Sequence, residues 1–192
     1  MKTKILLLFL VMAALVKAQS LIIKENFQDW RAEIGTPPEV EGKPYTGVSY
    51  TITKKLYDGK TNGTFTSNAL IVNPEQKPGK AGIAEGNGSP TNGCIVLKGS
   101  KSYLQLPQIP SISRIIIKAK SGSDLIDFKL QASNDSKTYK DIPESLTTCS
   151  NSVIKSYVFD VAYNEPTTIR ILSTSGSSIY VFDIEVYTTT NL

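Results

Sequence analysis

The chain contains no histidine. That absence removes Ser-His-Asp and Cys-His nucleophile pairs, His-ligated zinc and imidazole acid–base catalysis. The chemistry left open is that of carboxylates, aromatic rings, cationic side chains and two cysteines. Glu39, Glu41, Glu75 and Glu85 fall in loop-like stretches. Their spacing singles out no acid and base for glycoside hydrolysis, and solvated loop charge accounts for them. Cys94 and Cys149 form no CxxC metal or redox motif. In an oxidising compartment they can close a disulfide, which would stabilise the fold by about 4 kcal/mol. The alternative is two separate thiols. The aromatic candidates are Trp30, the only tryptophan, with Tyr45, Tyr57 and Tyr103, all in loops or on outward strand faces. Asn62, Asn87 and Asn92 add amides, and Arg31 adds a fork of donors.

The N-terminus reads as a secretory leader. Lys2 and Lys4 precede an apolar run from Ile5 to Val16, and Val16-Lys17-Ala18 offers a cleavage site. Residues 1–18 are therefore expected to be a signal peptide and 19–192 a single mature domain, secreted to the periplasm or beyond. The apolar run is too short for a comfortable membrane span. The chain has 21 Lys and Arg against 17 Asp and Glu, and Lys2, Lys4 and Lys17 leave with the leader. A mature chain so nearly neutral has no global field to draw in nucleic acid.

The candidate residues must be positioned by strands. From Arg114 to Tyr187 the chain alternates apolar and polar residues with a period of two, the mark of half-buried strands. Ile115, Ile117 and Ala119 face inward between Arg114, Ile116, Lys118 and Lys120. Phe128, Leu130 and Ala132 face inward, with Lys129 and Gln131 outward. Tyr157, Phe159 and Val161 share a face, as do Ile169 and Ile171, with Arg170 outward. In the last strand Phe182, Ile184 and Val186 are expected on the core side, with Asp183, Glu185 and Tyr187 on the other. Earlier, Val48 to Leu56 and Thr64 to Val72 read as a hairpin across Asp58-Gly59, and Cys94–Lys98 as a hairpin with Ser102–Leu106 across Gly99. Stretches 31–46 and 73–92 are long loops rich in Gly and Pro. Loops of that length are the expected place for binding chemistry. The pattern specifies an all-β antiparallel sandwich.

The order of these pieces resembles the galactose-binding-like, or discoidin-like, jelly-roll β-sandwich. The residues that carry the resemblance are Ser102-Tyr103-Leu104-Gln105-Leu106 followed by Ile115-Ile116-Ile117-Lys118-Ala119, and the hairpin Leu130 to Tyr139. In that hairpin Ser136 stands where glycine is common. Thr168–Ile171 and Phe182–Val186 resemble the last two strands. The opening Glu25 to Trp30 is similar to bacterial secreted modules of this type, some appended to pectin-degrading enzymes.

The resemblance implies a non-catalytic carbohydrate-binding module, with a polysaccharide or glycan of plant cell-wall type as partner. A surface adhesion or scaffold protein, or a small polysaccharide lyase or hydrolase, are the alternatives. Sugar recognition needs flat rings and polar forks, so Trp30, Arg31, Tyr45, Tyr57, Asn62 and Tyr103 are the expected ligand-binding residues; the competing reading has Trp30 cap the sandwich core and the tyrosines pack as half-buried strand residues. The resemblance also implies a structural Ca²⁺ where the first and last strands meet. Glu25, Asp29 and Asp183 are the residues that could supply hard oxygens. The competing reading pairs Asp183 and Glu185 with Arg170 or Lys129 across strands. The outward cations Arg114, Lys118, Lys120 and Lys129 could attract acidic polysaccharide, or be balanced by neighbouring carboxylates.

Overall fold

The computed structural model describes residues 18–27, 30, 49–72, 94–122, 126–151 and 153–190. Thirteen strands account for most of them: β1 (Ala18–Glu25), β2 (Tyr50–Lys55), β3 (Asn62–Ser67), β4 (Leu70–Val72), β5 (Cys94–Lys98), β6 (Tyr103–Gln105), β7 (Ile112–Ser121), β8 (Ile126–Ser133), β9 (Lys140–Asp141), β10 (Thr147–Cys149), β11 (Lys155–Tyr163), β12 (Thr168–Ser173) and β13 (Ser178–Thr190). All pair antiparallel. The first sheet runs β11-β7-β13-β5-β4, with β1 also on β13. The second runs β10-β8-β12-β6-β3-β2, with β9 beside β8. No helix of the described residues is long and apolar enough to cross a membrane.

The alternation read in the sequence explains why two sheets form. The long strands each have an apolar side, and the way to dry both sets is to stack them. Ile115, Ile117, Ile184 and Val186 from the first sheet meet Leu104, Phe128, Leu130, Ile169 and Ile171 from the second in one core. From β5 onward the chain mostly crosses between sheets: β5 lies in the first, β6 in the second, β7 in the first, β8 in the second, and β11, β12 and β13 alternate again. That crossing pattern is a jelly roll.

Three sequence expectations fail here, two of them for identifiable reasons. The Cys94–Lys98 and Ser102–Leu106 segments are not a hairpin. β5 pairs with β13 and β4, whereas β6 pairs with β12 and β3. Gly99, at φ 88°, turns the chain from one sheet to the other. The left-handed backbone there suits glycine. The second failure is in β13. Pairing with β7 shifts register between Val181 and Asp183, a β-bulge. One extra residue reverses the alternation. Val181 and Ile184 face the core, while Phe182 turns outward to a separate small cluster with Cys94, Val96 and Tyr180. The hairpin of β2 and β3 forms as expected, with Ile52 opposite Phe65. Leu70–Val72, expected to continue its return strand, instead forms β4 in the first sheet.

Candidate functional site

The outward face of the second sheet carries the richest polar arrangement of the described residues. Register places Asp141 opposite Gln131, Gln131 opposite Arg170, Arg170 opposite Gln105, Gln105 opposite Thr66, and Thr66 opposite Thr51. Directly opposed residues point to the same side of an antiparallel sheet. These six therefore form one row across six strands. The strands fix it because their alternate residues, Leu104, Leu130, Ile169 and Ile171, are fully buried.

Arg170 sits at the centre of the row. Its guanidinium lies 3.7 Å from the Tyr139 ring centroid and 4.4 Å from that of Tyr103. Each such contact contributes about 0.5–2 kcal/mol, more as water is excluded. Arg170 Nη2 donates to Gln105 Oε1 at 3.0 Å. Tyr103 is held by a hydroxyl contact with Ser49 at 2.9 Å, and its backbone N–H donates to Asn68 Oδ1 at 2.8 Å. Tyr139 is set by the turn that precedes it. The Asp135 carboxylate accepts from Ser133 Oγ and from the backbone N–H groups of Lys137 and Thr138. Those bonds, led by the one from Thr138, hold the Asp135 carboxyl well below the usual range. Ser136, within that turn, takes φ 57°. Burial pushes the Tyr139 phenol up against the pull of Arg170, so it keeps its proton at neutral pH.

At one end of the row Asp141 accepts from Lys129 Nζ at 2.7 Å and from Gln131 Nε2 at 2.8 Å. The Lys129 bond does most to lower its pKa, and Asp141 stays ionised. The carboxylate of this row is thus engaged as an acceptor and offers no proton. The arrangement is suited to binding: rings to stack on, amides for hydroxyl groups, and one guanidinium.

Of the expected ligand residues among those described, the structure brings only Tyr103 to the Arg170 cluster. Tyr45 and Arg31 lie outside the described residues, as do Asn87 and Asn92. Tyr57 is exposed at the tip of the β2–β3 hairpin, where its N–H donates to Ile22 O. Asn62 is exposed beside it, four residues along β3 from Thr66, about 14 Å at ordinary strand rise. Trp30 is 0% exposed and packs edge-on against Phe27 at 4.9 Å and Phe65 at 5.4 Å. It belongs to the core, so its faces are not open to a sugar. Tyr139 and Arg170 were missed as ligand residues. Their signal was available: an outward Arg170 one strand from an aromatic that follows a tight turn.

The expected calcium residues do not gather. Glu25 lies opposite Ile184, a core residue, and so faces between the sheets. There it accepts from Phe27 N–H at 2.8 Å and pairs with Lys54 at 3.3 Å. Asp183, one residue along β13, points to the opposite side and pairs with Lys118 at 2.9 Å. Asp29 lies outside the described residues. Glu25 and Asp183 thus cannot share one cation, and among the described residues no three potential ligands cluster. The partners proposed for Asp183 and Glu185 are also corrected. They are Lys118 and Lys24 of their own sheet, not Arg170 or Lys129 of the other.

The expected cation row is likewise split, since Lys129 stands on the second sheet. On the first, Arg114 binds Asp160 at 2.6 Å and Lys118 binds Asp183. Cys94 and Cys149 form no disulfide: both are free and buried. Cys149 lies in the main core and Cys94 in the small outer cluster of the other sheet. Burial pushes the Cys94 thiol up to about 12.

No family model matches the chain, and no curated protein matches it in sequence. Several solved structures resemble it. A CBM35 module from Paenibacillus barcinonensis is 14% identical, with 76% of this chain and 100% of that one covered and a TM-score of 0.43. The CBM22-1 xylan-binding domain of a protein from the same organism is 10% identical over 92% of this chain and 99% of that one, with a TM-score of 0.44. The catalytic domain of a GH87 α-1,3-glucanase in complex with nigerose is 13% identical over 74% of this chain, with a TM-score of 0.42; this chain spans only 28% of its length.

Proposed function

We propose that the chain is a secreted, non-catalytic carbohydrate-binding module whose glycan, of plant cell-wall type, lies across the outward face of the second sheet. The observation that carries the reading is the Tyr103–Arg170–Tyr139 stack set within a row of Gln105, Gln131 and Thr66. Aromatic rings supply flat apolar area at low entropic cost. The glutamine amides supply both donors and acceptors for hydroxyl groups. The sheet beneath them is rigid, so little ordering is needed on binding. The leader-like N-terminus is the support for secretion.

The test is isothermal titration of the mature protein against a panel of soluble plant cell-wall glycans. At least one should bind, and Tyr139→Ala and Tyr103→Ala should each weaken it by about tenfold, the scale of a lost ring contact. A panel without binding, or binding untouched by both substitutions, would sink the reading.

A further inference from the structure

Among the described residues Arg170 takes no part in the ion pairs of either sheet. On the outward face of the first sheet, Arg114 pairs with Asp160, Lys118 with Asp183 and Lys24 with Glu185. On the second sheet Lys129 pairs with Asp141. Asp127 accepts from the Thr148 hydroxyl at 2.6 Å. Arg170 has no carboxylate partner among the described residues. The acid of its own row, Asp141, stands two strands away, about 10 Å at ordinary strand spacing. At that distance salt screens most of the attraction, and Lys129 already neutralises Asp141.

The guanidinium is also half-buried and incompletely bonded. Its Nε is shielded from solvent and has no acceptor, and the Tyr139 hydroxyl, shielded as well, has no partner other than the guanidinium itself. Ring faces and one glutamine oxygen compensate only part of the lost hydration of a guanidinium. A desolvated cation of this kind is best completed by an anion with two oxygens, which matches the guanidinium fork. Neutral sugar hydroxyls can satisfy Gln105 and Gln131 but leave the charge unanswered.

We propose that Arg170 makes this face selective for anionic glycans, with a ligand carboxylate or sulfate ester closing on the guanidinium held between Tyr103 and Tyr139. This rests on the glycan-binding reading above and adds the ligand's charge to it. Charge selectivity here follows from the guanidinium held between two aromatic rings with no carboxylate partner among the described residues.

The experiment compares polygalacturonate with the same polymer fully methyl-esterified, beside a sulfated galactan and neutral xylan, on the mature wild type and on Arg170→Gln and Arg170→Lys. Polygalacturonate, the sulfated galactan or both should bind about tenfold or more tighter than the uncharged polymers. Which of the two binds distinguishes carboxylate from sulfate. Arg170→Gln should remove that preference, so that charged and uncharged polymers bind alike, and Arg170→Lys should keep part of it. A thermal melt reports whether the variants fold. If they do not, the esterified and free polymers on wild type still decide, because only the ligand's charge differs. Equal binding of the two forms, or a preference that survives Arg170→Gln, overturns the proposal. If neutral glycans bind and Tyr139→Ala weakens them, the glycan face stands and the anionic selectivity alone falls. If nothing binds, both fall.

Discussion

Cys94 and Cys149 carry thiols that the fold keeps away from solvent and from each other. A protonated, buried thiol is a poor nucleophile. The native protein should therefore react negligibly with a thiol reagent and release two equivalents once unfolded, in reducing and non-reducing buffers alike. Fewer than two equivalents after non-reducing denaturation would show a bridge. At the other extreme of exposure, Asp58 caps the β2–β3 turn by accepting from the Thr61 hydroxyl and from the N–H groups of Lys60 and Thr61. Those bonds, the Thr61 hydroxyl first, lower its pKa from 3.8 to about 2. The folded value is depressed, so its contribution is complete above about 4 and is lost as pH falls through about 2. An NMR titration should find the Asp58 carboxyl midpoint near the lower figure, and Asp58→Ala should flatten the stability loss over that interval. A midpoint near 3.8 would contradict the cap.

Individual strands show where the amino-acid pattern is legible and where it stops being so. Side-chain alternation predicts the inward faces of β7, β8, β11 and β12, because burial on one face imposes a period of two. It cannot locate a bulge. Phe182 and Ile184 are equally apolar, and only the pairing of β13 with β7 decides that Phe182 turns away from the core. It also cannot tell a hairpin from a sheet-to-sheet crossing, since both need a tight turn such as that at Gly99. Ile184→Ala should cost about 2–5 kcal/mol by chemical denaturation, as expected for a fully buried core residue. Val158→Thr, outward on β11 and 53% exposed, should stay within about 0.5 kcal/mol. Comparable losses at both positions would contradict the assigned faces. The candidate site was half legible for a similar reason. Tyr103 and an outward Arg170 could be read from alternation, but their meeting with Tyr139 depends on which strands become neighbours.

Across the whole molecule the two outward faces differ in kind. The first sheet presents cations answered by carboxylates beside the small apolar cluster of Cys94, Val96, Tyr180 and Phe182, and its ion pairs are worth little in stability pair by pair. The second presents rings, amides and an unanswered guanidinium in a straight row. Trp30, the residue whose type most suggested sugar stacking, lies between the sheets, so its fluorescence should be blue-shifted and indifferent to ligand. The division of labour between the faces is the central claim, and backbone amide mapping during a glycan titration tests it most directly. Binding should shift Tyr103, Gln105, Gln131, Tyr139 and Arg170 together, leaving β7 and the outward residues of β13 unchanged. Shifts centred on Arg114, Lys118 and Asp183 instead would place the ligand on the other sheet and contradict the account.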